Sequence, residues 1–198
     1  MGTLDTTNSL ITATDLYSAL GTTSAESSLV NDLINAASAA ANTATCRLLK
    51  ARTYTPPDPE CYYDGEGGCE LYLRQYPILA ISSLYTDHAR AFGSDTLVGA
   101  STYCVTGDRR AVFLDSGVLP SWPRSVRIQY TAGYAAGTPE RAELQQAVKE
   151  LVEFWYGRQS SQRVGKKSVS VEGESTTYET EMPATVKAVF ERYRTKTV

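Results

Sequence analysis

The only histidine of the chain, His88, follows Asp87, and an acid beside an imidazole is the first arrangement to weigh as chemistry. Neighbouring residues on a strand or loop point apart, so the two do not share a proton, and one histidine leaves a His-based metal site without its second ligand. His88 therefore reads as a surface side chain. The cysteines, Cys46, Cys61, Cys69 and Cys104, lack C-x-x-C spacing, which argues against zinc. Cys61 and Cys69 flank CYYDGEGGC, whose Asp64-Gly65 and Gly67-Gly68 pairs mark a turn. Two readings stand: a hairpin that sets the sulfurs opposite one another as a disulfide, and two reduced thiols, which a cytoplasmic redox state favours.

The glycines at 65, 67 and 68 do not make a phosphate loop, because Asp64 and Glu66 repel an anion. No G-x-S-x-G elbow, G-x-x-x-x-G-K-[ST] loop or H-E-x-x-H helix occurs. Glu150 and Glu153 belong to the polar side of a helix, where solvation explains them. Arg163, Lys166 and Lys167 gather in a basic loop that touches DNA or an acidic partner, or is only solvated. With no catalytic constellation and no cofactor site, a non-enzymatic role is expected.

The elements that position these residues divide by periodicity. Val126, Ile128 and Tyr130 alternate with Arg127, Gln129 and Thr131, as in a half-buried strand. Thr138-Pro139-Glu140 then starts a helix whose Leu144, Ala147, Val148, Leu151, Val152 and Trp155 form an apolar stripe. Near the front, residues 1–12 read as a loose polar arm, and 14–20 as a short helix stopped by Gly21. Thr23 and Glu26 have capping-box spacing before a second amphipathic helix that runs to about Leu49. Its small-residue middle, AASAAANTA, admits another helix closely, from the same subunit or a neighbour. Between the helices, residues 52–131 carry β-formers in about six short runs separated by turns. A polar segment follows Gly157, with a possible hairpin around Gly173, and Met182-Pro183 opens a last helix. The fold class is α+β: a base of about four helices (residues 1–51, 132–160) with an inserted antiparallel β region (52–131), then a polar arm and helix (161–198).

The 198 residues carry a formal net charge of −3, so the whole-chain field does not attract nucleic acid or an anionic membrane. A helix-turn-helix at the front fails on the same ground, since residues 24–46 hold Glu26 and Asp32 and no Lys or Arg. The start lacks the basic and apolar regions of a signal peptide, and no window is apolar enough to span a bilayer. A soluble chain made in the cytoplasm is expected.

Taken in order, Tyr130-Thr131-Ala132-Gly133-Tyr134, the capped helix ending in Trp155-Tyr156-Gly157-Arg158, the polar Ser168 to Tyr178 segment and MPATVKAVFERYR resemble the head-to-tail connector (adaptor, head completion) proteins of long-tailed bacteriophages. ITATDLYSALG, the amphipathic helix after it and Arg52-Thr53-Tyr54-Thr55 extend the likeness. The region from about Leu84 to Arg124 is longer than such a protein needs, and the Cys61 to Cys69 segment departs from the pattern. The resemblance implies a virion structural protein of the neck, assembled in the host cytoplasm as a ring of about a dozen copies. It implies contact with the portal protein on one side and the next neck or tail-terminator protein on the other. Genomic DNA would pass through the ring without sequence-specific binding, and no membrane is involved.

Two interaction expectations follow from it. Residues 164–198 would dock on the portal through Val186, Val189, Phe190 and Tyr193, with Arg192 and Arg194 beside them. Neighbouring subunits would meet through Ala37, Ala40 and Ala41 against Phe154 or Tyr156. The alternatives are a tail-completion or collar protein whose β region, rich in tyrosine, attaches fibres, and a carbohydrate-binding or enzymatic domain.

Overall fold

Local signals start the longest helix. In the computed structural model, which describes residues 2–160, 168–171, 174–177 and 182–195, with backbone alone for 168–177, Thr138 Oγ1 accepts from the Arg141 N–H at 3.3 Å. Pro139, which has no N–H to leave unpaired, opens α3 (Pro139–Ser160). Leu144, Ala147, Val148, Leu151 and Val152 are buried along one side of it. Trp155, the last member of the expected stripe, is half-buried.

Contacts divide the chain into two compact units, Met1–Lys50 with Ala136–Val198, and Ala51–Ala135. In the first, α3 packs on α2 (Ser27–Thr45) and on α4 (Ala184–Tyr193). The shared core holds Val30, Ile34, Ala37 and Ala41 from α2, with Val186, Phe190 and Tyr193 from α4. The short α1 (Tyr17–Leu20) ends at Gly21, whose φ of 62° is the left-handed conformation that suits glycine.

Two boundaries differ from the sequence reading. α2 stops at Thr45 because Cys46 takes φ 58°, and the N–H groups of Cys46 and Arg47 turn back to the Thr43 and Asn42 carbonyls. Leu49 is thus buried outside the helix. Thr23 does cap, accepting from the Ala25 N–H at 3.4 Å, but Glu26 turns away from the expected box to the hydroxyls of Thr22 and Tyr156, at 2.8 and 2.6 Å.

The N-terminal residues are not loose. Ser28, Asn31, Asn35 and Ser38, at helical spacing along α2, bond the backbone of the arm. Ser28 Oγ accepts from the Gly2 N–H (2.6 Å) and Ser38 Oγ from the Leu10 N–H (3.2 Å). Asn31 donates to the Gly2 carbonyl (3.2 Å), while Asn35 donates to the Thr3 carbonyl (2.8 Å) and accepts from the Asp5 N–H (2.9 Å). Leu10, Ile11 and Leu16 then enter the core. This row of α2 is a strip of side-chain partners for an extended chain.

The second unit is built on β7 (Val126–Ala132), in which Val126, Ile128, Tyr130 and Ala132 are buried and alternate with half-buried residues. β1 (Arg52–Tyr54) and β2 (Tyr62–Tyr63) pair with its two ends, Arg52 opposite Ala132 and Tyr62 opposite Arg127. β4 (Ile78–Thr86) pairs along its length with two register shifts. A separate sheet has the order β3 (Glu70–Tyr72), β6 (Ala111–Leu114), β5 (Tyr103–Val105). All these pairings are antiparallel. The unit's ends meet as well: the Ala51 N–H donates to the Tyr134 carbonyl at 3.2 Å.

The four helices and the antiparallel sheets confirm the α+β class. β2 is a seventh strand of this region that the sequence does not suggest, and the run ELYLRQYPI divides into β3 and the start of β4 at Pro77, which has no N–H for a ladder. In the sheet core, Tyr54 and Tyr130 stack at 4.9 Å and the Tyr63 and Tyr130 hydroxyls lie 3.0 Å apart. After α3, β8 (Ser168–Val171) and β9 (Glu174–Thr177) form the hairpin that the alternation around Gly173 suggests; Gly173 and Tyr178 lie outside the described residues.

Gly65 donates its N–H to the Trp122 carbonyl at 3.0 Å, and a side chain there would press into the Pro120 carbonyl. Gly65→Ala should therefore lower the stability of the β unit by about 1–3 kcal/mol in a denaturant titration. Asn35→Ala removes three bonds to the arm, one of them from the Ser9 hydroxyl, and the Asp5 amide should then exchange with solvent about tenfold faster or more in a hydrogen-exchange measurement.

Candidate functional site

For a chain expected to work by contact, the site is whichever surface remains free once the core is made. The acidic flank of α3 is not free. Glu143 accepts from the Tyr193 hydroxyl at 2.6 Å and pairs with the Arg192 guanidinium, while Glu150, seven residues along the same flank, accepts from the Thr185 hydroxyl. Residues seven apart lie two turns apart on nearly the same side, so the pair holds both ends of α4. The Arg47 guanidinium closes the far end, donating through Nε and Nη2 to the Tyr193 carbonyl at 3.1 and 2.8 Å.

This arrangement corrects the docking expectation. Val186, Phe190 and Tyr193 are buried in their own unit and are not free to anchor a partner. Val189 is half-buried, and Arg192 and Arg194 are exposed, with Arg194 3.5 Å from Glu191. The periodic stripe marked correctly that one face of α4 is buried; what buries it is α2 and α3.

The proposed subunit contact divides in the same way. Ala37 and Ala41 are fully buried in the unit that contains α3 and α4, so these small side chains serve close packing within the chain. Ala40, Phe154 and Tyr156 are half-buried. The Tyr156 hydroxyl donates to Glu26, and that bond, with the one from Thr22, holds the Glu26 carboxyl below its usual range.

Arg163, Lys166 and Lys167 lie outside the described residues. Cys61 and Cys69 are free thiols. The hairpin of the disulfide reading does not form between them, because β2 after Cys61 pairs with β7 and β3 after Cys69 pairs with β6, in different sheets. Burial pushes the Cys61 thiol up to about 11. His88 is exposed with its ring 4.5 Å from that of Trp122, and the Asp87 carboxylate turns from it to the N–H groups of Ala89, Ala91 and Phe92. Among the described residues no group of acids, cysteines and histidine is placed to hold a metal, and no helix is long and apolar enough to cross a membrane.

Sequence reasoning missed Arg47 and Arg141, both buried. Arg141 donates to the Leu10 carbonyl at 2.8 Å, beside Gln145 at 2.9 Å. Burial lowers its pKa. Its signal was available: it stands three residues before Leu144, on the apolar stripe of α3.

A family model described as "Head completion protein" matches residues 9–196. The chain belongs to the head completion protein family. The match takes in residues of both units and the four helices among the described residues. Two solved structures share that fold. A chain from the neck of an empty GTA particle, computed with C6 symmetry, is 24% identical with a TM-score of 0.58, over 87% of this chain and 81% of that one. A chain from the neck of a native GTA particle, computed with C12 symmetry, is 22% identical with a TM-score of 0.60, over 100% of this chain and 94% of that one. No curated protein matches the head completion chain.

Thiol accessibility gives a direct check on the site geometry. At mildly alkaline pH, a thiol reagent should label the exposed Cys46 and Cys104 first, with Cys61 unreactive until denaturant opens the β unit. Rapid labelling of Cys61, or loss of the Cys61 and Cys69 thiols together, would contradict it.

Proposed function

We propose that the chain is a structural subunit of the neck of a phage-like particle, a head-to-tail connector that forms a ring below the portal and carries no catalytic activity. The observation that carries this reading is the family match over residues 9–196. The fold shared with neck chains of particles computed with C6 and C12 symmetry supports a ring. One side of that ring would meet the portal protein and the other the next neck or tail-terminator protein, with genomic DNA passing through.

Electrostatics suit a conduit. A ring of about a dozen chains with net charge −3 carries about −36, which keeps passing DNA from binding tightly. Neighbouring subunits would meet through the half-buried Ala40, Phe154 and Tyr156 rather than through Ala37 and Ala41. The portal contact would use the exposed side of α4, where Lys187, Arg192 and Arg194 stand, and not its buried stripe. Removing α4 is consequently a poor test of docking, because it also removes Val186, Phe190 and Tyr193 from the core. Charge reversal at Lys187 and Arg194 leaves that core intact.

The test is co-sedimentation of the purified chain with DNA-filled, tail-less heads, followed by electron microscopy of the vertex. New ring density beneath the portal is expected, and it should weaken with Lys187→Glu and Arg194→Glu together. Binding to tails or fibres with none to heads would overturn the connector reading in favour of a tail-completion or collar protein.

A further inference from the structure

The head completion reading makes no use of a cationic cavity in the β unit. Tyr62, Arg90, Ala91, Phe92, Arg124 and Arg127 line a space of about 380 Å³. Arg127 projects from β7 with its guanidinium 4.1 Å from the centre of the Tyr85 ring and 4.8 Å from that of Phe92, and it donates to the Phe92 carbonyl at 3.1 Å. Arg124 lies 4.9 Å over Tyr62, whose ring is 6.0 Å from Phe92. Aromatic faces thus hold two of the guanidiniums in place.

Among the described residues none of Arg90, Arg124 and Arg127 forms an ion pair. Two acids that touch this region are committed to backbone: Asp87 to the N–H groups of Ala89, Ala91 and Phe92, and Asp64 to the N–H of Arg124 at 2.7 Å. Like charges lining one cavity repel one another, and an entering anion relieves that repulsion. The backbone carries a second cost at the same place. Arg90, Phe92 and Arg124 have φ of 62°, 52° and 53°, a left-handed conformation that these residue types adopt rarely. Strain of this kind gathers where a surface is shaped for a ligand.

We propose that this cavity is a binding site for carboxylates on an acidic segment of a partner protein. Its volume fits one or two acidic side chains, whose methylene stems would lie on Tyr62 and Phe92 while the carboxylates meet the guanidiniums. Trp122, two residues before Arg124 and 45% exposed, does not line the cavity and serves as a reporter of binding beside it. Duplex DNA is the poorer match, because the cavity is too small to admit a double helix. The chemistry of the cavity does not depend on whether the chain forms rings, so it is tested on the full chain in solution.

The experiment titrates the purified chain at low salt with a short oligoglutamate peptide, with the matching oligoglutamine peptide and with a short DNA duplex. Binding is read from the Trp122 indole and arginine side-chain NMR signals. Arg90→Asn combined with Arg124→Asn removes two charges and keeps a residue that tolerates the left-handed backbone. Arg127 is left in place because it holds the Phe92 carbonyl. Arg90→Asn alone, at an exposed position, serves as the second variant should the pair disturb folding. Oligoglutamate should bind the unaltered chain and oligoglutamine should not, with affinity falling about tenfold or more in the double variant and measurably in the single one. Equal oligoglutamate binding by folded variants, no binding by the unaltered chain, or tighter binding of the duplex than of oligoglutamate would overturn the proposal.

Discussion

The helical unit depends on one contact, the burial of the α3 stripe against α2 and α4. Each large side chain in that stripe contributes about 1.5–3 kcal/mol when removed from water. The segments that meet there, Met1–Lys50 and Ala136–Val198, are separated in sequence by the entire β unit. Closing so long an excursion is tolerable because loop entropy grows only slowly with length. Folding of the helices therefore waits on contacts that are remote in sequence, which is why both termini are tied into the same core.

How they are tied follows from the backbone's need for partners. An extended arm laid on a helix has no ladder to satisfy its N–H and C=O groups, and Ser28, Asn31, Asn35 and Ser38 of α2 supply substitutes. At two places beside the core, a buried arginine takes a backbone carbonyl: Arg141 at Leu10 and Arg47 at Tyr193. A guanidinium suits this task because its several N–H groups reach a carbonyl while its stem stays in apolar surroundings. Glu143 and Glu150 act from the other side of α3, gripping α4 at its two ends.

Periodicity made some of this legible. The alternation in β7, the stripe of α3 and the final helix are all present as the sequence indicates, because a repeating pattern reports which face is covered. It does not report what covers it. That is why Val186, Phe190 and Tyr193 looked like anchors for another protein, and why Ala37 and Ala41 looked open to a neighbour. The end of α2 was illegible for another reason: Cys46 adopts the left-handed conformation without being glycine, so the usual mark of a helix stop is missing. The short β2 and the separation of Cys61 from Cys69 were hidden because strand pairing is decided by distant partners, β7 and β6, rather than by the turn between them. The cationic cavity was hidden likewise, since its arginines come from two loops and a strand that only the tertiary fold assembles.

The chain enters and leaves the β unit side by side, with Ala51 bonded to Tyr134 and Arg52 paired with Ala132. An excursion whose two ends sit next to each other is closed at its base, whatever its length. Evolution can lengthen, trim or exchange such a unit without altering the distance that the flanking helices must bridge. The helical and β portions are thereby free to diverge at different rates.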